Sequence, residues 1–175
     1  VVSAIKGLES ASLETTLQCV RRLHPGVQQC AVVSGPSFAK DIVAGKPAGV
    51  VAASDDPQFA EEVAQIFAGP ALRVYASDDP LGVEIGGVVK NVIALAAGVA
   101  DGMGLGESAR AGVITRGLTE MTRLAVAIGA KERTLFGLSG LGDLLMTATS
   151  ETSRNHTVGV RLGKGELLQS IVQTL

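Results

Sequence analysis

The sequence predicts a partial Rossmann-like α/β sheet followed by an all-helical region. Three observations lead there. Residues 1–80 alternate short apolar runs with helical patterns, the rhythm of an α/β sheet. After Asp79-Pro80 no strand pattern recurs, and Val83–Val99 is almost wholly apolar. Glycine supplies 22 of 175 residues, roughly twice the usual share, so some part of the chain requires close helix packing or exposed backbone.

The elements follow in order. Val1–Ile5 reads as a buried strand, and Leu13–Leu23 as a helix with Leu13, Leu17, Val20 and Leu23 on one face. Gln29–Ser34 and Ala48–Ala53 are strands joined by a turn. Phe59–Phe67 is a helix with Phe59, Val63, Ile66 and Phe67 in one stripe, and Asp56-Pro57 supplies its cap and first turn. Leu72–Tyr75 is the last strand. The boundary falls near 78–81 and divides residues 1–79, part of an α/β domain, from 80–175, part of an all-helical one. Helical patterns then cover Leu81–Ala100, Glu107–Gly129 (Val113, Leu118, Met121, Leu124, Ile128), Leu138–Thr149, Asn155–Leu162 and Glu166–Leu175.

Composition narrows the function classes. With 46% apolar and 18% charged residues the chain is not disordered. A net charge of −2 offers no basic field for a nucleic-acid backbone or an anionic membrane. Aromatics at 3% give no stacking surface for single-stranded nucleic acid. Cys19 and Cys30 are too few for a disulfide scaffold or a four-thiolate zinc site; they read as core residues in a reducing cytosol. No metal-ligand spacing surrounds His24 or His156. Leu81–Ala100 is long enough to span a membrane, but holds Glu84, Lys90 and Asn91. A central charge costs roughly 2.5–3.5 kcal/mol in lipid, so the segment reads as the core of a helical region. The chain opens on Val1-Val2 without Met and directly on a strand, the expected look of an internal fragment.

Few groups break the apolar pattern, and those are the candidates for chemistry. Lys90 sits mid-helix among apolar neighbours. A buried ammonium needs a partner, and desolvation moves it toward general acid/base use, although a lysine can also snorkel to the surface. Gly86-Gly87, one turn earlier, admit close approach of a ligand or helix. GPSFAKD (35–41) exposes Gly35 and Ser37 at the carboxyl end of a strand, where ligands bind in open α/β sheets; it also fits an ordinary connecting loop. In TSRNHTVG (152–159), Thr152, Ser153 or Asn155 caps a helix whose start also holds Arg154, either a phosphate site or a plain cap. Asp143 in SGLGDLL either caps a helix or holds a lysine or a substrate hydroxyl. GMGLGE (102–107) lacks the spacing and strand context of a nucleotide loop and reads as a helix–helix turn.

Together SAIKGLE, GPSFAKDIVAGKP, GVEIGGVVKNVIALAAGVADGMGLGESARAGVITRGLTEM, GLSGLGDLLMTATSETSRNHTVG and LGKGE resemble the bacterial NAD(P)-dependent glycerol-3-phosphate dehydrogenases nearly end to end. The resemblance implies reduction of dihydroxyacetone phosphate to sn-glycerol 3-phosphate with NAD(P)H, in the cytoplasm, for glycerophospholipid synthesis. It places the general acid/base lysine on Lys90. Substrate contacts fall on Lys6, Gly35, Ser37, Lys90, Asp143, Ser153, Arg154 and Asn155, and cofactor contacts on Lys6, Ala39 and Arg154. Lys90, Asp143 and Arg154 are then expected to converge on one cleft. Family members carry a Gly-rich turn that grips the pyrophosphate about a hundred residues before Lys6's counterpart, so the main cofactor cradle is expected to be absent and this chain alone inactive. A homodimer fits the apolar helical half. The alternatives are a related dehydrogenase acting on a hydroxy acid or sugar acid, or a non-catalytic helical interaction module.

Overall fold

The computed structural model describes residues 1–174. Its first strand, β1 (Val2–Ser3), is shorter than the Val1–Ile5 run predicts. The Ser3 hydroxyl accepts the Ile5 amide at 3.2 Å and turns the chain off the sheet. Helix α1 (Thr16–Leu23) starts late because Thr15 and Gln18 form a reciprocal capping box. Leu13 is left outside the helix at φ 59° and, like Leu23, is exposed, so only Leu17 of the expected stripe is fully buried.

Strand β2 (Ala31–Ser34) pairs in parallel with β1, and β3 (Ala48–Ala53) runs antiparallel to β2 with Val32 opposite Ala53 and Ser34 opposite Val51. A five-residue helix, α2 (Ala39–Val43), occupies the connection expected to be a turn. Helix α3 (Pro57–Phe67) begins as predicted, with the Asp56 carboxylate accepting from the Gln58 and Phe59 amides. It leads to β4 (Leu72–Ser77), parallel to β3, which completes a mixed sheet in the order β1-β2-β3-β4. Val63 and Ala64 of α3 cover one face with Ala31 and Ala52, whereas Ile66 is exposed. Leu17 covers the other face with Val32, Ala53 and Val83.

Val83 belongs to α4 (Pro80–Gly102), the longest element, capped by Asp79, which accepts the Gly82 amide at 3.0 Å. By length and composition α4 could cross a membrane. It is packed instead at both ends: Val83 joins the sheet, while Ile93, Ala94 and Ala97 join Ile114, Leu118 and Met121 of α5 (Glu107–Ala127). Leu124 on α5 and Ile128, just past its end, are about half exposed, so the predicted stripe is narrower than drawn. GMGLGE links α4 to α5 as a helix–helix turn, with Gly104 and Gly106 at positive φ. After α6 (Glu132–Leu135) come a π-helical turn (Leu138–Gly142), α7 (Asp143–Thr149), α8 (Arg154–Gly163) and the short α9 (Leu168–Val172). Residue 175, the last of the predicted final helix, lies outside the described residues.

The glycine excess has a direct use where α4 crosses α8. A Cβ on Gly98 would overlap the His156 carbonyl, and one on Gly102 the Val160 carbonyl. A Cβ on Gly159 would overlap the Leu95 carbonyl, and one on Gly163 the Val99 carbonyl. Two glycines four residues apart on each helix therefore bring the backbones into contact. Cys30 is buried as expected; Cys19 is only partly buried because its thiol turns outward toward Glu14.

Candidate active site

Lys90 is 6% exposed and faces inward from the middle of α4. Its ammonium donates to Asp143 Oδ1 at 2.6 Å and to Thr147 Oγ1 at 2.9 Å. It does not snorkel. Asp143 has no exposed surface and is the first residue of α7, directly after the π-helical turn. It caps nothing. Its second oxygen, Oδ2, accepts from Lys6 Nζ at 2.5 Å, so one carboxylate is clamped between two ammonium groups. Lys6 also reaches the Gly35 carbonyl at 3.4 Å, which accepts from Ser37 Oγ at 3.0 Å. Gly35 holds φ +152°, and a Cβ there would stand 2.9 Å from Val50 Cα, so only glycine fits this strand end.

The two glycines before Lys90 make room for its partners. A Cβ on Gly86 would lie 2.7 Å from the Ser139 carbonyl, so this residue seats the π-helical turn that leads into Asp143. A Cβ on Gly87 would lie 3.2 Å from Lys6 Cγ and 3.4 Å from Ser34 Oγ, so this residue seats the stem of Lys6. Burial pushes the Lys90 ammonium below the ordinary lysine range; nearby Lys6 pushes the same way, and Asp143 opposes both. Such a lysine holds a proton tightly enough to orient it and loosely enough to transfer it.

Ser153 is the N-cap of α8, its hydroxyl accepting the His156 amide at 3.3 Å, which selects it over Thr152 and Asn155. The Asn155 side-chain amide donates to Asn91 Oδ1 at 2.9 Å. Asn91 adjoins Lys90, so the helix start is tied to the lysine's own helix. Arg154 is exposed and makes no hydrogen bond or ion pair among the described residues. Ala39 is exposed at the first position of α2. The structure thus joins Lys6, Gly35, Ser37, Lys90 and Asp143 in one network and links Asn155 to it through Asn91. Among the described residues, neither Arg154 nor Ala39 makes a side-chain hydrogen bond or ion pair with this network.

Two participants carried no role in the sequence reading. Thr147 stands four residues after Asp143, one helical turn on, and that spacing could have revealed it. Ser34 has a buried hydroxyl without a partner among the described residues, which no sequence pattern marks. Ser139, in the π-helical turn, has the other such hydroxyl. Among the described residues no three His, Cys, Asp or Glu side chains gather to hold a metal ion.

A partial Rossmann-like sheet runs into a helical region with a buried lysine–aspartate pair beside the join, which defines the class as a two-part α/β-plus-helical fold. Residues 79–175 match the family described as NAD-dependent glycerol-3-phosphate dehydrogenase C-terminus, and residues 1–65 match the N-terminus of the same family. The chain belongs to the NAD-dependent glycerol-3-phosphate dehydrogenase family. It is 51% identical over 174 residues to glycerol-3-phosphate dehydrogenase [NAD(P)+] of Geobacter sulfurreducens, covering 98% of this chain and 52% of that protein. The Stenotrophomonas maltophilia enzyme of the same name is 50% identical over 175 residues, covering 100% and 51%. The crystal structure of glycerol-3-phosphate dehydrogenase from Coxiella burnetii superposes with a TM-score of 0.93 at 43% identity, covering 99% of this chain and 53% of that one. The chain spans about half the length of the curated relatives it matches.

Proposed function

We propose that the protein reduces dihydroxyacetone phosphate to sn-glycerol 3-phosphate with NAD(P)H, and that Lys90 is its general acid/base. The observation that carries this reading is the buried Lys90, clamped with Lys6 on Asp143 and lowered in basicity by burial. The names of the relatives support the substrate and cofactor class.

The ketone oxygen lies against the Lys90 ammonium. As the carbonyl carbon is reduced, negative charge develops on that oxygen, and Lys90 stabilises it and gives up a proton to form the hydroxyl. In the reverse direction neutral Lys90 accepts the hydroxyl proton. Asp143 and Thr147 fix the direction of Nζ, and Lys6 bears on the substrate from the β1 side. The phosphate rests on the first turn of α8, where the N-terminal amides have no helical partners, with Ser153, Arg154 and Asn155 around it. Gly35 and Ser37 line the strand end. Lys6, Ala39 and Arg154 would contact the nicotinamide dinucleotide, which supplies the hydride when bound. The reading places residues 1–79 in a dinucleotide-binding domain and 80–175 in a substrate and dimerisation domain. It also carries a cytoplasmic location and a place in glycerophospholipid synthesis. Steady-state assay of the complete polypeptide tests it: turnover of dihydroxyacetone phosphate with NADH or NADPH is expected. Turnover of a hydroxy acid with none of the triose phosphate would contradict it.

A further inference from the structure

We infer that His156 is a positioning residue, acting through Asp101 to hold the first turn of α8 in register with Lys90; this rests on the proposed reading of that turn as the phosphate site. Asp101, at the end of α4, is a carboxylate shared by three helices. Its Oδ2 lies 2.8 Å from His156 Nε2 on α8, and Arg110 on α5 donates to its two oxygens at 3.0 and 3.3 Å. Burial raises the Asp101 carboxyl, but the hydrogen bonds from His156 and Arg110 outweigh it and hold the group below the usual carboxylate range. Asp101 is therefore the charged acceptor and His156 Nε2 the donor.

The position of His156 gives this contact its consequence. It follows Asn155 directly, so the first turn of α8 is pinned to α4 twice, through Asn155–Asn91 and through His156–Asp101. The His156 carbonyl rests against Gly98. Beside it opens a pocket of about 510 Å³ lined by Asp101, Arg110, Thr149, Glu151, His156 and Thr157. With the imidazole bond gone, the turn has open space to move into. A displacement of about 1 Å there moves the amides and Arg154 relative to Lys90, and shifts of that size cost up to about a hundredfold.

The test compares His156→Leu with His156→Gln in the complete polypeptide. Leucine fills volume but makes no bond; the glutamine amide can reach Asp101. The expected result is a rise of about tenfold in KM for dihydroxyacetone phosphate in His156→Leu, with kcat within about twofold and KM restored in His156→Gln. An unchanged KM in His156→Leu, or a glutamine variant no better than leucine, would overturn the inference. Should His156→Leu fail to fold, Asp101→Ala, which removes the acceptor outright, carries the same comparison: a raised KM with kcat held supports the positioning role, and an unchanged KM ends it. A wild-type protein inactive on the triose phosphate would overturn the underlying reading, and this inference with it, whereas wild-type turnover with indifferent variants sinks the inference alone.

Discussion

The two ends of α4 use glycine for opposite purposes. In the N-terminal half, Gly86 and Gly87 open the helix surface to the turn that carries Asp143 and to the stem of Lys6. In the C-terminal half, Gly98 and Gly102 open it to the backbone of α8, which reciprocates with Gly159 and Gly163. The first contact gathers charges that must compensate one another; the second is a matter of shape. Damage at the first end should therefore appear in the chemistry and in buried-charge stability. Damage at the second should appear in where the α8 helix start sits.

The largest effect is expected at the charged end. Asp143→Ala would leave two ammonium groups facing each other with no counter-charge. Breaking a buried pair in this way costs about 3–5 kcal/mol, read by denaturant unfolding, and activity should vanish with it. A stability loss under about 1 kcal/mol would show that water already screens the cluster.

Next comes the glycine crossing. Gly159→Ala forces a methyl group into the Leu95 carbonyl and should cost about 1–3 kcal/mol in the same unfolding measurement. Because it tilts α8 rather than touching Lys90, its kinetic signature should be a raised KM more than a lowered kcat. The reverse pattern would blur the distinction between the two ends.

Thr147→Val is subtler. Valine keeps the shape and removes the acceptor 2.9 Å from Lys90 Nζ. That bond favours the charged lysine, so its loss should lower the Lys90 pKa further. In the wild type, glycerol 3-phosphate oxidation should rise with pH through an ionisation below the ordinary lysine value of 10.5. In the valine variant that rise should move to still lower pH, with kcat down several-fold, as for loss of a bond of about 1–2 kcal/mol.

The smallest effect concerns Glu84, at the sheet-facing start of α4. Its buried carboxylate accepts the Leu17 amide at 2.9 Å and so ties α4 to α1. Burial raises its pKa above 4.5, against the opposing hydrogen bonds from Thr15 and Leu17. The folded state therefore binds the proton more tightly than the unfolded one. Its contribution to stability is fully present below the unfolded pKa and is lost as pH rises through the folded value. Melting temperatures followed upward from pH 4 should show this decline in the wild type and a flatter course in Glu84→Gln.

How much of this was legible in the sequence depends on distance along the chain. Lys90 stands out because it interrupts an apolar run and Asp143 because it follows two glycines and precedes one, and Asp56-Pro57 marks the start of α3 locally. The bond between Lys6 and Asp143 spans 137 residues, and no spacing rule reaches that far. The antiparallel step between β2 and β3 was invisible for a related reason, since two buried strands read alike in either direction. Exposed Leu13, Leu23 and Ile66 misled because an apolar stripe shows a helix's periodicity, not where its neighbours end. The glycine count announced close packing, but only the crossing of α4 and α8 says which glycines carry it.

The most direct measurement is kcat for Lys90→Met in the complete polypeptide, beside its melting temperature. Methionine keeps the length and helix propensity of lysine, and Asp143 keeps Lys6 as its partner, so the fold should hold. With general acid/base help and charge stabilisation both removed, kcat should fall by at least about a hundredfold at an unchanged or higher melting temperature. A correctly folded variant with near-normal kcat would remove Lys90 from the chemistry.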